Sequence, residues 1–219
     1  MIIAYNYNML HTVIYTHRSG STTSAKKIAE HSNAQYLGEV MHPYRREPNV
    51  EIHVNQLQEI LSLAQYKDIV VKFHVIDLLK FYNFSVNILK DIFLKSDKIY
   101  YPIRIDYKAQ IISQMIADKT QQWSENRAID KKIILNDSDI PKYTENLINQ
   151  ISIQGQWYKT FSGELLILEN QIYDPYPRYE YEFRGLKSFL QKKNDKISLF
   201  DNIDVLTIFE NGNSKYNII

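Results

Sequence analysis

The chain of 219 residues contains no cysteine, and its glycines and prolines number only six each. The lack of cysteine excludes disulfide scaffolds, thiolate zinc sites, iron–sulfur clusters and cysteine nucleophiles. The six histidines show neither HExxH nor HxH spacing, so we expect no dedicated metal site. Since no linker-like run divides the sequence, we expect one α/β domain over residues 1–219, with residues 195–219 as a weakly patterned C-terminal extension.

Strong charge of one sign is also missing. Lysine and arginine total 26 against 25 aspartates and glutamates, a formal net charge of +1. This balance argues against binding to nucleic acid or to an anionic membrane surface. No stretch approaches the roughly 20 apolar residues that a membrane span needs. Residues 1–16 carry no charge but lack the basic start of a signal peptide, so we interpret them as part of a core strand and expect a cytoplasmic protein.

Runs rich in β-branched and aromatic residues alternate with runs of helical periodicity. Strands are expected at 11–16, 68–74, 98–105 and 164–169, and helices at 22–32, 54–65, 77–94, 106–124, 140–161 and 180–193. We expect helix breaks near 83–85 and at Gly155, and Pro102 indicates an edge strand or a strand end. Strands separated by helices predict a mostly parallel sheet with helices on both faces, which binds ligands at the carboxyl ends of its strands.

The loop after the first strand carries the most chemical information. Its candidate ligand-binding residues are Arg18, Ser19, Gly20, Ser21, Thr22 and Thr23. The start of a helix presents unsatisfied N–H groups and partial positive charge. Gly20 allows close backbone approach, and Arg18 offers a charged fork to phosphate oxygens. The pattern predicts a cradle for a nucleotide phosphate, although the same hydroxyl cluster is also typical of an ordinary helix cap.

A nucleoside-triphosphate site of the Walker A type fits this loop less well. That motif reads G-x-x-x-x-G-K-[ST], and here no glycine stands upstream and no lysine follows Gly20. A P-loop kinase-like phosphotransferase, with Asp106 holding magnesium, therefore remains an alternative. A noncatalytic nucleotide-binding module is a second alternative.

Residues 17–22, His-Arg-Ser-Gly-Ser-Thr, resemble the 5′-phosphosulfate loop of sulfotransferases that use 3′-phosphoadenosine-5′-phosphosulfate (PAPS). Residues 101–114 resemble the 3′-phosphate element of that family, closest to its bacterial trehalose-sulfotransferase-like branch with the pattern Arg-Arg-Asp-x-x-Ala-Gln-x-x-Ser. The positions in step with that branch are Arg104, Asp106, Ala109, Gln110, Ser113 and Trp123. Ile105 stands where the branch has its second arginine. A third stretch, Gln-Trp-Tyr-Lys-Thr-Phe at 156–161, is similar to the family's W-x-x-x-F segment.

The resemblance implies a P-loop-like sulfotransferase architecture. It also implies transfer of a sulfuryl group from PAPS to a hydroxyl, of a carbohydrate or a glycolipid, with 3′-phosphoadenosine-5′-phosphate (PAP) as product and no metal. Arg18 would stabilise the leaving oxygen, and Arg104 and Ser113 would bind the 3′-phosphate.

Several further roles are expected on the same grounds. Glu39 and His74 are alternative bases for the acceptor hydroxyl. Lys72 would steer the sulfuryl group or the acceptor, or simply lie at the edge of the core. Arg178 and Arg184, in an aromatic segment, are candidates for the 3′-phosphate. Segments 41–53 and 119–143 are expected to form the acceptor pocket.

Overall fold

The computed structural model describes residues 8–40, 50–121, 133–167, 181–184 and 203–212, in which strands and helices alternate along the chain. The strands are β1 (Leu10–Tyr15), β2 (Gln35–Glu39), β3 (Ile69–His74), β4 (Lys98–Ile103), β5 (Ile133–Asn136), β6 (Glu164–Ile167) and β7 (Tyr181–Arg184). The helices are α1 (Ser21–Ser32), α2 (Val50–Leu63), α3 (Val75–Lys95), α4 (Tyr107–Thr120), α5 (Ile140–Phe161) and α6 (Val205–Asn211).

Five of these strands form one parallel sheet in the order β2-β3-β1-β4-β6. β1 lies at its centre, and all six of its residues are buried. β5 and β7 pair separately, also in parallel. This arrangement confirms the predicted parallel sheet. β1 leads through a short loop into α1 at the carboxyl edge of the sheet, where parallel α/β folds bind ligands.

The two faces of the sheet are covered by different helices, since successive side chains of a strand point to opposite sides. Leu10 and Ile14 of β1 belong to a large apolar cluster that α2 to α6 complete. Val13 packs on the other face, with Ala25 and Ala29 of α1. Among the described residues, no helix is long and apolar enough to cross a membrane.

Several local predictions differ from the structure. α3 and α5 run through the predicted breaks near 83–85 and at Gly155. β4 is an interior strand, so Pro102 does not mark an edge strand, but the alternative that it marks a strand end is confirmed. Pro102 is the last residue but one of β4 and lies two residues beyond the last pair with β1, at Tyr100. The helix predicted at 180–193 begins instead as β7, and its remainder lies outside the described residues. β2, β5 and α6 were not predicted.

The buried face of α4 also differs from the predicted stripe of Ala109, Ile112, Ile116 and Trp123. Ile116 is buried as expected, whereas Ala109 and Ile112 are only partly buried and Trp123 lies outside the described residues. The buried face is formed by Tyr107, Gln110, Ile111, Gln114, Met115, Ile116 and Ala117. The predicted stripe differs from this face because two of the buried residues are glutamines, and a stripe based on apolar residues alone leaves them out.

Gly155 allows α5 to approach α6 closely, which yields a test of the packing. A Cβ atom at this position would lie 1.9 Å from the carbonyl oxygen of Phe209, so one backbone would have to shift. We expect Gly155→Ala to lower the free energy of unfolding by about 3 kcal/mol, as overpacking does. Asn146→Ala, at an exposed position of the same helix, should change it by less than about 0.5 kcal/mol. Urea denaturation measures both, and an unchanged Gly155→Ala midpoint would contradict the packing.

Candidate functional site

The loop between β1 and α1 has an unusual backbone. Arg18 and Gly20 both adopt left-handed conformations, with φ of 58° and 74°. Gly20 is the N-cap of α1 and supplies no side-chain hydrogen bond to the helix. The hydroxyl group of Ser19 is fully buried and donates to the carbonyl oxygen of Thr16 over 2.9 Å. A side-chain hydroxyl cap is therefore wrong as an account of this helix start, and the Ser19 hydroxyl instead stabilises the turn.

Arg18 connects two segments that are far apart in the sequence. Its Nε donates to Ser113 Oγ, on α4, over 2.7 Å. Both side chains are half-buried. The structure thus brings together a residue of the predicted phosphate loop and a residue of the predicted 3′-phosphate element.

The first turn of α1 holds the other hydroxyl residues of the loop. Ser21 is buried, whereas Thr22 and Thr23 are half-buried. Thr22 Oγ1 accepts a hydrogen bond of 2.8 Å from Lys72 Nζ. A lysine of β3 therefore supplies a cation at the start of α1, in addition to Arg18 of the loop, which itself contains no lysine.

Lys72 lies near the carboxyl end of β3 and is only 6% exposed. Its Nζ is 4.0 Å from Glu39 Oε2, at the end of the neighbouring β2. It also lies 4.6 Å from the centre of the Tyr15 ring, a cation–π distance. The parallel register explains these contacts, because Lys72 is paired with Val13 on one side and Glu39 on the other.

His74 is the last residue of β3 and the N-cap of α3. Its Nδ1 accepts from the N–H of Ile76 over 3.3 Å, and its ring lies edge-on to Tyr15 with centroids 5.2 Å apart. The His17 ring lies against the His74 ring, tilted by 36°, with centroids 3.8 Å apart. An imidazole that accepts at Nδ1 carries its proton on Nε2 when neutral. In this arrangement Nε2 would carry the proton, so a role as base requires the capping bond at Nδ1 to break.

The remaining predicted residues belong to other segments of the chain. Arg104 follows β4 directly and is half-buried, in the loop before α4. Asp106 is exposed and caps α4, accepting from the N–H of Ala109 over 3.0 Å. Its carboxylate thus has a structural function. Arg184 ends β7, whereas Arg178 and much of the predicted acceptor segments lie outside the described residues.

Three buried glutamines form hydrogen bonds with the loop and the adjoining strands; the sequence analysis gave none of them a role, although one of them, Gln110, lies in the 3′-phosphate motif. Gln110 Nε2 donates to the carbonyl oxygen of His17 over 2.5 Å and to Thr16 Oγ1 over 3.1 Å. Gln150 Oε1 accepts from the N–H of His17 over 3.0 Å. Gln154 Nε2 donates to backbone carbonyl oxygens of β1 and β4. On α5, Gln150 and Gln154 are spaced i, i+4 within an apolar stripe, and this spacing was the sequence signal that could have identified them.

The site as a whole is suited to an anion. Arg18 and Lys72 are cationic, and the start of α1 adds partial positive charge. Glu39 is the carboxylate that contacts this group most directly. Within the described residues no cluster of three histidine, aspartate or glutamate side chains is arranged to hold a metal ion.

Comparison with known proteins adds little to this geometry. No protein-family model and no curated protein matches the chain. Among solved structures, a shikimate kinase from Acinetobacter baumannii in complex with shikimate is similar, with a TM-score of 0.44 and 12% sequence identity over 89% of this chain and 95% of that chain. So distant a likeness carries no argument about function, and the fold is defined by its own strand order.

Tyr36 offers a test of the site's geometry that is independent of function. Burial, and next the charge of Glu39, raise the pKa of Tyr36 above 10, while a hydrogen bond with Thr22 partly offsets this. Because the pKa is higher in the folded state, the protonated Tyr36 contributes fully to stability below about pH 10. This contribution is lost as the pH rises through the folded-state pKa. In Glu39→Gln the pKa of Tyr36 should fall yet stay above 10, because burial is the larger cause.

Carbon-13 NMR of Cζ-labelled tyrosines measures this pKa directly. Tyr100 is the control, since its raised pKa comes from burial and Glu164 and should not respond to Glu39→Gln. No change at Tyr36 would show that Glu39 does not face it.

Proposed function

We propose that the protein binds PAPS and transfers its sulfuryl group to a hydroxyl of a carbohydrate or glycolipid. The hydrogen bond of 2.7 Å from Arg18 to Ser113 carries this proposal. Arg18 belongs to the stretch that resembles the 5′-phosphosulfate loop, and Ser113 to the stretch that resembles the 3′-phosphate element. Two motifs 95 residues apart therefore meet at one surface, as a nucleotide with phosphates at both ends of its ribose requires.

The residues of the site have complementary roles in this reaction. Bound PAPS supplies an activated sulfuryl group, whose bond to the bridging phosphate oxygen breaks as a bond to the acceptor oxygen forms. Arg18 would stabilise negative charge on the leaving oxygen, because it places a guanidinium in the loop that would hold the phosphosulfate. Lys72 would hold the sulfuryl oxygens, since its Nζ is already at the start of α1.

The acceptor hydroxyl must lose a proton, and two residues can receive it. Glu39 presents a carboxylate at the carboxyl end of β2, with its side chain 19% exposed. His74 presents an imidazole at the end of β3, but its Nδ1 is engaged as a helix cap. Both stand at the edge of the sheet where the loop lies.

A phosphotransferase is the second candidate, and one contact favours it. The loop lacks the lysine of a Walker A motif, yet Lys72 brings a cation within 2.8 Å of Thr22 Oγ1. A lysine on β3 would then replace the lysine of the loop. In that case the ligand would be ATP with magnesium rather than PAPS.

Calorimetric titration with PAP, beside ATP with magnesium, separates the two candidates. We expect PAP to bind without metal, and Arg18→Ala to weaken binding by about 1.5–3 kcal/mol, the contribution of a charged hydrogen bond. Lys26→Ala is the control, because it removes the same charge from an exposed position on α1 and should leave the affinity within about threefold. ATP binding without preference for PAP would favour the phosphotransferase, and no binding of either would refute both.

Turnover of PAPS then tests whether the site is catalytic. Removing the true base should lower kcat by about 10²-fold or more while the affinity for PAP stays within about threefold. The variants are Glu39→Gln and His74→Asn, the latter chosen because asparagine still caps α3. A wild-type protein that binds PAP but turns over no hydroxyl acceptor would point to the noncatalytic module.

A further inference from the structure

His17 is held on both sides of its backbone by side chains from two different helices. Gln150, on α5, accepts from its N–H over 3.0 Å. Gln110, on α4, donates to its carbonyl oxygen over 2.5 Å. Both glutamines are at most 1% exposed. The peptide groups on both sides of His17 therefore each form a hydrogen bond with a buried glutamine amide.

The next residue is Arg18, whose left-handed backbone conformation is unfavourable for any residue other than glycine. A non-glycine residue keeps such a conformation only when its surroundings determine it. The hydrogen bonds to His17 hold the backbone of the residue that immediately precedes Arg18. Gln110 also donates to Thr16 Oγ1, so its amide fixes two successive residues of the loop.

We propose that Gln110 and Gln150 are positioning residues that keep the loop in the conformation in which Arg18 faces the anion. This inference rests on the proposed function for the identity of the anion, although the contacts themselves do not. Without the two amides the loop would populate other conformations. The apparent affinity would then fall in proportion to the competent fraction, about tenfold if that fraction falls to about one tenth.

The test compares Gln110→Met and Gln150→Met with Gln154→Met, because methionine has a similar volume and cannot replace the amide. Gln154 is a matched control: it is equally buried and one turn from Gln150, but it donates to the carbonyl oxygens of Ile14 and Pro102 in the strands. We expect a PAP dissociation constant at least about tenfold higher for the first two variants and within about threefold of wild type for the third. A purely structural role would instead lower the melting temperature of all three without this difference in affinity.

A second variant distinguishes the direction of the hydrogen bond. In Gln110→Glu the introduced carboxyl can donate to the carbonyl oxygen of His17 only while it is protonated. Relative to wild type at each pH, PAP binding should therefore weaken as the pH rises through the pKa of that carboxyl. A constant ratio across the pH range would contradict the proposed donor role.

Hydrogen exchange of the His17 amide in the ligand-free protein separates this proposal from the proposed function. Gln150→Met removes the acceptor of that amide, so its exchange should accelerate by about tenfold or more, while amides of β1 stay protected. If wild type binds PAP, the PAP dissociation constants of the variants test the positioning role, and equal constants for all variants would overturn it. If wild type does not bind PAP, the proposed function fails and unchanged exchange of His17 would overturn the positioning role as well.

Discussion

The parallel pairing of β1 with β3 is the constraint on which the candidate site depends. The two strands run in register over six residues, so Tyr15 lies beside His74 where both strands end. Because the strands are parallel, the loops that follow them leave the same edge of the sheet. β2 joins β3 in the same direction and brings Glu39 beside Lys72. The chemistry-bearing side chains therefore meet because of strand register and not through proximity in the sequence.

The loop that follows β1 is stabilised by polar groups that come from the core. Its tight turn and left-handed residues leave backbone groups that no strand or helix satisfies. Such groups are costly when buried without partners. Two long helices, α4 and α5, place glutamine amides against them from the apolar side of the sheet. This explains why fully buried polar side chains occur in an otherwise apolar helix face.

The sequence was informative where the pattern is strong and local. The runs that became β1 and β3 are rich in β-branched residues and predicted a buried parallel sheet. Two motifs predicted Arg18 and Ser113 as parts of one ligand site, and the structure brings them into contact. Whether that ligand is PAPS stays a prediction, since no comparison tests it.

Other features could not be read from local pattern, for identifiable reasons. β2 is only five residues long, includes Gly38 and is not fully buried, so its apolar signal is weak. In α3, residues of low helix propensity near 83–85 suggested a break, but the helix continues because propensity is a weak preference compared with packing. The roles of Gln110 and Gln150 depend on where α4 and α5 lie relative to the loop. Spacing within one helix carries no such information.

The position of Lys72 links the stability of the fold to the nature of its ligand. A buried ammonium group loses hydration, and the Glu39 carboxylate at 4.0 Å, the Thr22 hydroxyl and the Tyr15 ring are among the groups that offset this loss. An arrangement of this kind adds little to the stability of the free protein. It becomes favourable when a phosphate or sulfuryl oxygen approaches, because charge-assisted hydrogen bonds to an anion are strong in a site of low dielectric constant. The position of Lys72 therefore supports the anion binding proposed above, because a bound anion would add such hydrogen bonds to those that Lys72 already makes.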